Sequence, residues 1–407
     1  MSTESVVIIG ASHAAAEAVT TLRKKKWAGR IVLIGDEPLL PYQRPPLSKA
    51  YLSDQMTVDQ LLIKRQEAYD RADVDLFLGR TATAIDRAAQ HVVLDGGEQV
   101  PYSKLILATG ARPRRLPIPG ADLPQVNYLR TKQDVDQIKA QLRPNARLLV
   151  IGAGYIGLEV AAAAVRQDVN VTVLEAQDRV LARVTSPIVS DFYQLMHRAE
   201  GVDLRLNTMA TRFEQVDGQC YAVLDSGEQL LFDCVVVGIG VVPNVELAEA
   251  AGLPCDNGII VDQFTQTADL NIYAVGDCCN HPNQLYDCRL RLESVPNAVG
   301  QGKTAALAIC GKPKAYADLP WFWSDQFDVK LQTAGLFQNY DQAIVRGEPQ
   351  SRKFSVFYLR NQQLIAVDAI NSPAEFMGSR KLIAAQKEID PQLLADPSVS
   401  MKVLMKM

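Results

Sequence analysis

The sequence predicts an α/β protein with two β-α-β units on parallel sheets, followed by a small α+β region. Short apolar runs alternate with longer helical patterns, which is typical of parallel-sheet folding. This alternation starts again at Leu148, after a proline-rich connection at residues 111–124. From about Pro320 the pattern changes to strand-like runs joined by short polar turns. At roughly 100–200 residues per domain, the 407 residues suggest about two to four domains.

The first unit begins with the apolar run 6–9, which predicts a strand that enters a turn at Gly10. The next segment predicts a helix, and the residues that share its apolar face are Ala14, Ala15, Ala18, Val19 and Leu22. The runs 31–34 and 105–107 predict further strands, the second of which leads into a turn that ends at Gly110.

The second unit repeats this order, and it therefore predicts a second nucleotide site. Residues 148–152 predict a strand and turn, a helix opens near Tyr155, and residues 171–175 predict the partner strand. A second crossover is expected at 241–244, and residues 271–277 predict a strand that ends in a polar loop.

The last region predicts a small antiparallel sheet with one helix. Residues 354–359 and 363–367 are strand-like with a turn at 360–362, and the helix is expected near 374–387. The predicted domains are residues 1–112 with 241–319, residues 113–240, and residues 320–407.

Composition narrows the class of protein. The net charge of −4 argues against general nucleic-acid binding. Neither a signal pattern at the start nor an apolar run of about 18 residues is found, so a soluble cytoplasmic protein is expected. Seven cysteines without a C-x-x-C pair, and four histidines, predict structural thiols rather than disulfides or a metal site.

The stronger nucleotide loop runs from Gly152 to Gly157 and satisfies G-x-G-x-x-G between a strand and a helix. Its residues are Gly152, Ala153, Gly154, Tyr155, Ile156 and Gly157. The glycines allow a tight turn and close approach to a pyrophosphate, which the helix N-terminus faces with its positive end. Glu175 ends the next strand, where a carboxylate accepts from a ribose 2′-hydroxyl and repels a 2′-phosphate. This loop therefore predicts NADH in preference to NADPH.

The weaker loop departs from the same pattern. It reads Gly10, Ala11, Ser12, His13, Ala14 and Ala15, with Ser12 at the middle glycine position and Ala15 at the last one. Alanine is acceptable at the last position, whereas Ser12 adds a side chain where backbone should approach phosphate. Asp36 and Glu37 end the next strand, and either could hold a ribose. His13 is expected near the cofactor phosphates rather than in catalysis.

These loops, the Ala-Thr-Gly turn at 108–110 and the Gly-Asp turn at 276–277 resemble those of two-dinucleotide-binding flavoproteins. Within that group the chain resembles, nearly end to end, the ferredoxin reductases of bacterial oxygenase systems. The segments that carry the resemblance are 41–49, 128–131, 154–159, 293–298 and 320–326.

The resemblance implies a glutathione-reductase-like fold with two Rossmann-like dinucleotide-binding domains. Residues 1–112 and 241–319 would bind FAD, residues 113–240 would bind NADH, and residues 320–407 would form the α+β C-terminal domain. By matched position, FAD contacts are implied for Ala14, Asp36, Lys49, Ala82, Arg130, Asp277 and Val295. Lys49 would lie by the isoalloxazine and pair with Glu159, and Trp323 would lie against the flavin.

Taken without the resemblance, some of these residues also fit ordinary structural roles. Asp277 could be an ordinary turn aspartate, and Lys49 a solvated lysine. Trp321 and Trp323, which share one side at strand spacing, suit either a core or a flavin wall.

The implied activity is electron transfer from NADH through FAD to a small [2Fe–2S] ferredoxin of a cytochrome P450 or other oxygenase. A rubredoxin reductase, an NADH oxidase and an NADH-responsive flavoprotein remain alternatives. Thiol redox chemistry is not expected: residues 1–110 contain no cysteine, and Ser48 stands in the region where related oxidases and peroxidases use one. Because such ferredoxins are usually acidic, a basic docking face is predicted from Lys64, Arg65, Lys303 and Lys330.

Overall fold

The computed structural model describes residues 4–406, which fold as two compact units. The chain passes between the units within two short strands, Ala111–Pro113 and Val241–Pro243, where the sequence predicts crossovers. The first unit contains the residues up to Gln43, Val58–Arg112 and Val242–Pro320, and the second contains Arg44–Thr57, Pro113–Val241 and the residues from Trp321 on. The segment Arg44–Thr57 thus belongs to the second unit, and the division into cofactor domains stays a prediction.

A five-stranded parallel sheet is the centre of the first unit. In spatial order its strands are Ile272–Ala274, Lys104–Leu107, Ser5–Ile9, Arg30–Gly35 and Val74–Leu78. The three central strands are almost entirely buried, as expected for a parallel sheet that is covered on both faces. Four of the five strands coincide with apolar runs in the sequence.

Two helices of the first unit pack against each other at unusually short range. They are His13–Lys24 and Val295–Ile309. A β-carbon added to Gly302 would lie 2.3 Å from the carbonyl oxygen of Ala14, so only glycine permits this approach. The predicted alanine-rich face of the first of these helices is the face that is buried.

Smaller elements complete the first unit. Its short helices are Val58–Leu61, Gln66–Arg71, Glu246–Ala250 and the 3₁₀ turn Gly276–Cys278. Two three-stranded sheets consist of Ala82–Asp86, His91–Leu94 and Gln99–Pro101, and of Ile259–Ile260, Cys279–Asn283 and Cys288–Leu290.

The second unit contains a parallel sheet of the same kind. In spatial order its strands are Asp203–Arg205, Asn170–Leu174, Arg147–Ile151, Cys234–Val237 and Val126–Tyr128. Its main helices are Lys132–Gln141, Tyr155–Val165 and Pro187–Ala199, and the 3₁₀ turn Pro45–Ser48 also lies in this unit. An antiparallel sheet is formed by Ala210–Val216, Gln219–Leu224 and Gln229–Phe232.

The last part of the second unit is a five-stranded antiparallel sheet with helices. The sequence predicts the antiparallel sheet and the first of these helices, but not the two shorter ones that follow it. In spatial order the strands are Trp321–Gln326, Val329–Gly335, Gln363–Ile370, Lys353–Arg360 and Gln342–Glu348. The helices are Pro373–Ala385, Pro391–Ala395 and Met401–Leu404, and a 3₁₀ turn spans Pro349–Ser351.

Two boundaries differ from the predicted ones for local reasons. The predicted three-residue turn 360–362 is a two-residue hairpin turn, because Asn361 and Gln362 adopt φ angles of 51° and 61° while Arg360 stays in the strand. The helix predicted to reach residue 387 ends at Ala385, where Gln386 adopts a left-handed conformation.

Within residues 4–406, no helix combines the length and the apolar character that crossing a membrane requires.

Because the two helices are so close, adding one methyl group at Gly302 should measurably lower the stability of the protein. Gly302→Ala should lower Tm by roughly 2–12 °C, because overpacking costs about 1–3 kcal/mol in a unit of this size. Lys303→Ala is the matched control, since Lys303 follows on the same helix and is exposed. Thermal unfolding followed by circular dichroism measures both, and an unchanged Tm for Gly302→Ala would contradict the proposed constraint.

Candidate functional site

The first nucleotide loop lies at the carboxyl end of the strand Ser5–Ile9 and leads into the helix His13–Lys24. Gly10 adopts a φ of 106°, and a β-carbon there would lie 2.1 Å from the carbonyl oxygen of Ala108. Any other residue at this position would both strain the turn and collide with the neighbouring strand end. The loop therefore has the tight turn that phosphate binding requires.

Ser12 is the N-cap of this helix, yet its hydroxyl does not cap it. The Ser12 Oγ instead lies 3.4 Å from Nδ1 of His13. Backbone N–H groups of the first helical turn have no partner inside a helix, and they form an anion site. Ala14 and Ala15 are buried, with Ala15 fully enclosed in the core, so any cofactor contact there is made by backbone.

A cavity of about 500 Å³ opens beside this loop, within the first unit. It brings together three residues that the sequence assigns to FAD, namely Gly10, Asp36 and Ala82. Thr109 and Asn244 also line it and fix each other, since the Thr109 hydroxyl donates to the Asn244 carbonyl at 2.7 Å and the Asn244 amide donates back at 2.9 Å. Its size is within the ordinary range for a small-molecule site, about 300–1,000 Å³.

The structure separates the two acids that the sequence leaves as alternatives. Asp36 is exposed and lines the cavity, directly after the strand Arg30–Gly35. Glu37 accepts a hydrogen bond of 2.6 Å from the hydroxyl of Tyr42. Because Glu37 is held by the tyrosine, Asp36 is the better candidate for a ribose.

Asp277 lies in the 3₁₀ turn that follows the strand Ile272–Ala274. The turn rests on Gln301, a fully buried side chain whose amide oxygen accepts from the Gly276 N–H at 2.7 Å. Val295 is the first residue of the helix Val295–Ile309, which Ser294 caps through the Asn297 N–H. Both candidate residues are thus placed by turns that buried polar groups hold.

The second loop shows a separate physical role for each of its glycines. A β-carbon on Gly152, which adopts a φ of 99°, would lie 2.7 Å from the Gly238 carbonyl oxygen. One on Gly157 would lie 2.1 Å from the Gly152 carbonyl oxygen, so Gly157 allows the helix to pack on the strand. By contrast, a β-carbon on Gly154 would meet nothing closer than 4.0 Å. Gly154 faces open space, and its lack of a side chain leaves room for a pyrophosphate.

Glu175 is fixed against this loop. One of its carboxylate oxygens accepts from the Ala153 N–H at 2.7 Å, and the other accepts from the Gln177 N–H at 2.9 Å. A carboxylate offers about four lone-pair positions, so two remain for ribose hydroxyls. Nearby, Ile156 is a large apolar side chain with 42% of its surface exposed, at the N-terminal turn of the helix.

Lys49 and Glu159 form the ion pair that the resemblance implies. The Lys49 Nζ lies 2.6 Å from Glu159 Oε2, and the two side chains are 19% and 2% exposed. Ser48 donates to the same oxygen at 2.5 Å, and Ser324 donates to Oε1 at 2.5 Å. The lysine is therefore held in one position rather than solvated.

Trp321 and Trp323 share one side of the strand Trp321–Gln326, as the spacing predicts, with ring centroids 5.7 Å apart. Phe322, on the opposite side, contacts the Tyr155 ring at 4.6 Å. Trp323 is only partly buried, so part of its ring is available to a ligand. Arg130 donates its backbone N–H to Asp134 and accepts from Arg44 through its carbonyl.

The cysteines do not offer a redox pair beside these residues. All seven are free thiols, at Cys220, Cys234, Cys255, Cys278, Cys279, Cys288 and Cys310. Burial raises the pKa of the adjacent Cys278 and Cys279 thiols, and it raises the pKa of Cys255 to about 11. A raised pKa disfavours the reactive thiolate.

Several residues of these sites were not singled out from the sequence. Thr109 follows a strand end at the carboxyl edge of the parallel sheet, and that position alone could have marked it. Asn244 follows a short strand of a two-stranded sheet, and no sequence signal marks it. Ser48 and Ser324 lie within segments that carry the family resemblance, but serine hydroxyls have no pattern that reveals a buried partner. Gln301 follows Asn297 by one helical turn, which indicates a shared face and not the contact with Gly276.

Comparison with known proteins gives consistent relationships over the whole chain. The family model for pyridine nucleotide-disulphide oxidoreductases matches residues 4–302, and the model for the reductase C-terminal domain matches residues 321–405. The putidaredoxin reductase of Pseudomonas putida is 45% identical over 405 residues, which cover 98% of this chain and 96% of that protein. The rhodocoxin reductase of Rhodococcus erythropolis is 44% identical over 400 residues, 98% of this chain and 94% of that protein.

A solved structure agrees with these relatives. The covalent putidaredoxin reductase–putidaredoxin complex contains a chain that is 43% identical, with a TM-score of 0.96 and coverage of 100% of this chain and 99% of that one. The predicted fold class and the resemblance to ferredoxin reductases are confirmed. The chain therefore belongs to the pyridine nucleotide-disulphide oxidoreductase family, in which it is an oxidoreductase that uses FAD and NAD(H).

Proposed function

We propose that this protein passes electrons from NADH, through FAD, to a small [2Fe–2S] ferredoxin that serves a cytochrome P450 or another oxygenase. The observation that carries the proposal is the pair of glycine loops, each at a strand end and each with an acid directly after the next strand. Similarity to reductases named for putidaredoxin and rhodocoxin supports the choice of acceptor. We place the reaction in the cytoplasm.

The first unit offers residues that fit FAD. The loop Gly10–Ala15, the cavity with Asp36 and Ala82, and the turn with Asp277 would hold it, together with Val295. Lys49 and Arg130 are the remaining residues that the family resemblance assigns to FAD. The cavity beside a glycine that tolerates no β-carbon is the feature of this structure that fits a dinucleotide.

The second loop is proposed to hold NADH. Gly154 would leave room for the pyrophosphate, Tyr155 and Ile156 would line the entry to the helix, and Glu175 would accept from the ribose hydroxyls. The negative charge of Glu175 would repel a 2′-phosphate.

FAD, when bound, supplies the exchange between a hydride and single electrons. The protein residues orient and tune the site. The Lys49 ammonium group, fixed by Glu159, would place a positive charge where negative charge develops, and a preorganised charge of this kind lowers the energy of that state. Trp323 would cover the reacting ring and limit access of water. No side chain needs to act as a general base for hydride transfer.

The four predicted docking residues differ in their exposure and in their neighbouring charges. Arg65, Lys303 and Lys330 are exposed, whereas Lys64 is half-buried. Lys330 lies 3.7 Å from a carboxylate oxygen of Asp325, which offsets part of its charge. Lys303 is the strongest candidate for a docking contact, because it is exposed on the helix that begins at Val295.

The proposed function predicts a yellow protein with noncovalent FAD. In the presence of NADH it should reduce [2Fe–2S] ferredoxins much faster than rubredoxins, since the relatives above are named as reductases of putidaredoxin and rhodocoxin. Stopped-flow absorbance with a panel of purified carriers measures this preference. A protein that cannot be reconstituted with FAD would refute the proposal, and equal or faster rubredoxin reduction would make it a rubredoxin reductase.

Glu175 should set the choice between the two nicotinamide cofactors. The wild-type protein should show a higher kcat/KM with NADH than with NADPH. Glu175→Ala should reduce the ratio of these two kcat/KM values by about tenfold, because a hydrogen bond to a charged group contributes a free energy of about that size. Glu175→Gln is the closest control in size, because its amide oxygen can still accept from one of the two backbone N–H groups while the charge is removed. Equal kcat/KM values for both cofactors in the wild type would show that Glu175 does not discriminate.

Lys303→Glu should slow ferredoxin reduction at low ionic strength, by roughly two- to tenfold, and should weaken its dependence on salt. Reduction of ferricyanide, a small acceptor, should change much less. Lys312→Glu is the control, because this exposed lysine follows the far end of the same helix. Charge reversal at Lys64, Arg65, Lys303 and Lys330 together, without any effect on the ferredoxin rate, would place the docking surface elsewhere.

A further inference from the structure

A chain of buried side chains leads away from Glu159, on the side opposite to Lys49. The Ser324 Oγ lies 2.5 Å from Glu159 Oε1, and the Gln326 Nε2 lies 3.1 Å from that Ser324 Oγ. The Gln326 Oε1 lies 2.8 Å from Nε2 of His197. Ser324 and His197 are 0% exposed and Gln326 is 1% exposed, so water does not compete for these bonds.

The direction of every hydrogen bond in this chain follows from the carboxylate at its end. An ionised carboxylate only accepts, so the Ser324 hydroxyl donates to Glu159. The serine oxygen then accepts from the Gln326 amide nitrogen, which leaves the amide oxygen as an acceptor. His197 must therefore donate from Nε2, and its Nδ1 carries the lone pair.

Two further observations agree with this assignment. Burial lowers the pKa of His197 to about 4, so the imidazole is neutral near pH 7. Its Nδ1 has no hydrogen-bond partner among the described residues, which leaves Nε2 as its single polar connection. A buried polar atom without a partner is costly and rare, and it calls for a reason to keep a histidine here.

The strand Trp321–Gln326 explains how the sequence builds the chain. Side chains of a strand alternate between two faces, so Phe322, Ser324 and Gln326 share one face and Trp323 lies on the other. Phe322 packs on Tyr155 at the start of the helix that carries Glu159. His197 comes from the last turn of the helix Pro187–Ala199. One strand thus fixes both Trp323 and the Glu159 carboxylate.

We propose that Ser324, Gln326 and His197 are positioning residues that hold one oxygen of Glu159 and so direct the other to Lys49. The inference rests on the proposed placement of Lys49 beside the reacting ring of FAD. A carboxylate held at Oε1 cannot rotate freely, and Oε2 stays aligned with the ammonium group. A small displacement of a preorganised charge is enough to slow a reaction.

The first test examines the hydrogen-bonded side chains directly and does not depend on enzyme turnover. Imidazole ¹⁵N NMR of the FAD-loaded protein, which has four histidines, should show His197 at pH 7 as neutral and protonated at Nε2. Gln326→Leu removes the acceptor and should change the ¹⁵N and N–H proton shifts of His197 Nε2, because this group loses its hydrogen-bond partner. A wild-type His197 that is protonated at Nδ1, or that is charged at pH 7, would overturn the inference.

The second test separates positioning from mere structural support. Ser324→Ala should slow the reduction of FAD at saturating NADH by roughly tenfold, with little change in the KM for NADH, and Ser324→Thr should restore the rate. Ser355→Ala is the matched control, because Ser355 is a buried serine of the same unit whose hydroxyl has no partner among the described residues.

The outcomes distinguish this inference from the proposed function. A normal rate of FAD reduction in Ser324→Ala would overturn the positioning role, even if ferredoxin reduction proceeds as proposed. Failure to reduce ferredoxins, with the tautomer and the Ser324→Ala effect as expected, would refute only the choice of acceptor.

Discussion

A buried carboxylate must be surrounded by donors, and the second unit is arranged around that requirement at Glu159. Taking a charge out of water costs several kcal/mol unless it is paired and hydrogen-bonded. Two distant segments supply the donors: one holds Ser48 and Lys49 after a proline turn, and the other holds Ser324 on the antiparallel sheet. These contacts bring Arg44–Thr57 and the last part of the chain into one unit with the second glycine loop. The pairing also fixes the position of the lysine that the resemblance assigns to the reacting ring.

A second constraint acts at the carboxyl edge of both parallel sheets. Helices follow strands there, so free backbone N–H groups and strand-end side chains meet at the same edge. Gly10 and Gly152 make the turn possible through positive φ angles and the absence of a β-carbon. Asp36 and Glu175 then occupy equivalent positions after the next strand, but their surroundings differ. Asp36 faces a cavity, whereas Glu175 is held by two backbone N–H groups of its own unit. Equivalent positions in the two units therefore carry acids of different freedom.

The fold was largely predictable from the sequence because its signals are local. Apolar runs that are buried on both faces marked the parallel strands, and the alanine face of His13–Lys24 was read from helical spacing. Contacts between distant segments leave no such periodic signal: Ser324 and Glu159 are 165 residues apart, and nothing in the spacing relates them. The predicted length of the hairpin turn at Asn361 was wrong by one residue. The turn is shorter than predicted because Asn361 and Gln362 both adopt positive φ angles, which glutamine seldom does. The pairing of Lys49 with Glu159 was anticipated only through family resemblance, since neither residue type nor spacing distinguishes it from a solvated lysine.

The same geometry gives Ser48 a structural role in the region where, by the family resemblance, related oxidases and peroxidases use a cysteine. Ser48 occupies that region, and its hydroxyl donates to Glu159 beside the Lys49 ammonium. A hydroxyl in this position stabilises the carboxylate and cannot be oxidised through a sulfenic acid. A thiol would be a weaker donor to the same oxygen. The residue is thus used to hold the ion pair between Lys49 and Glu159.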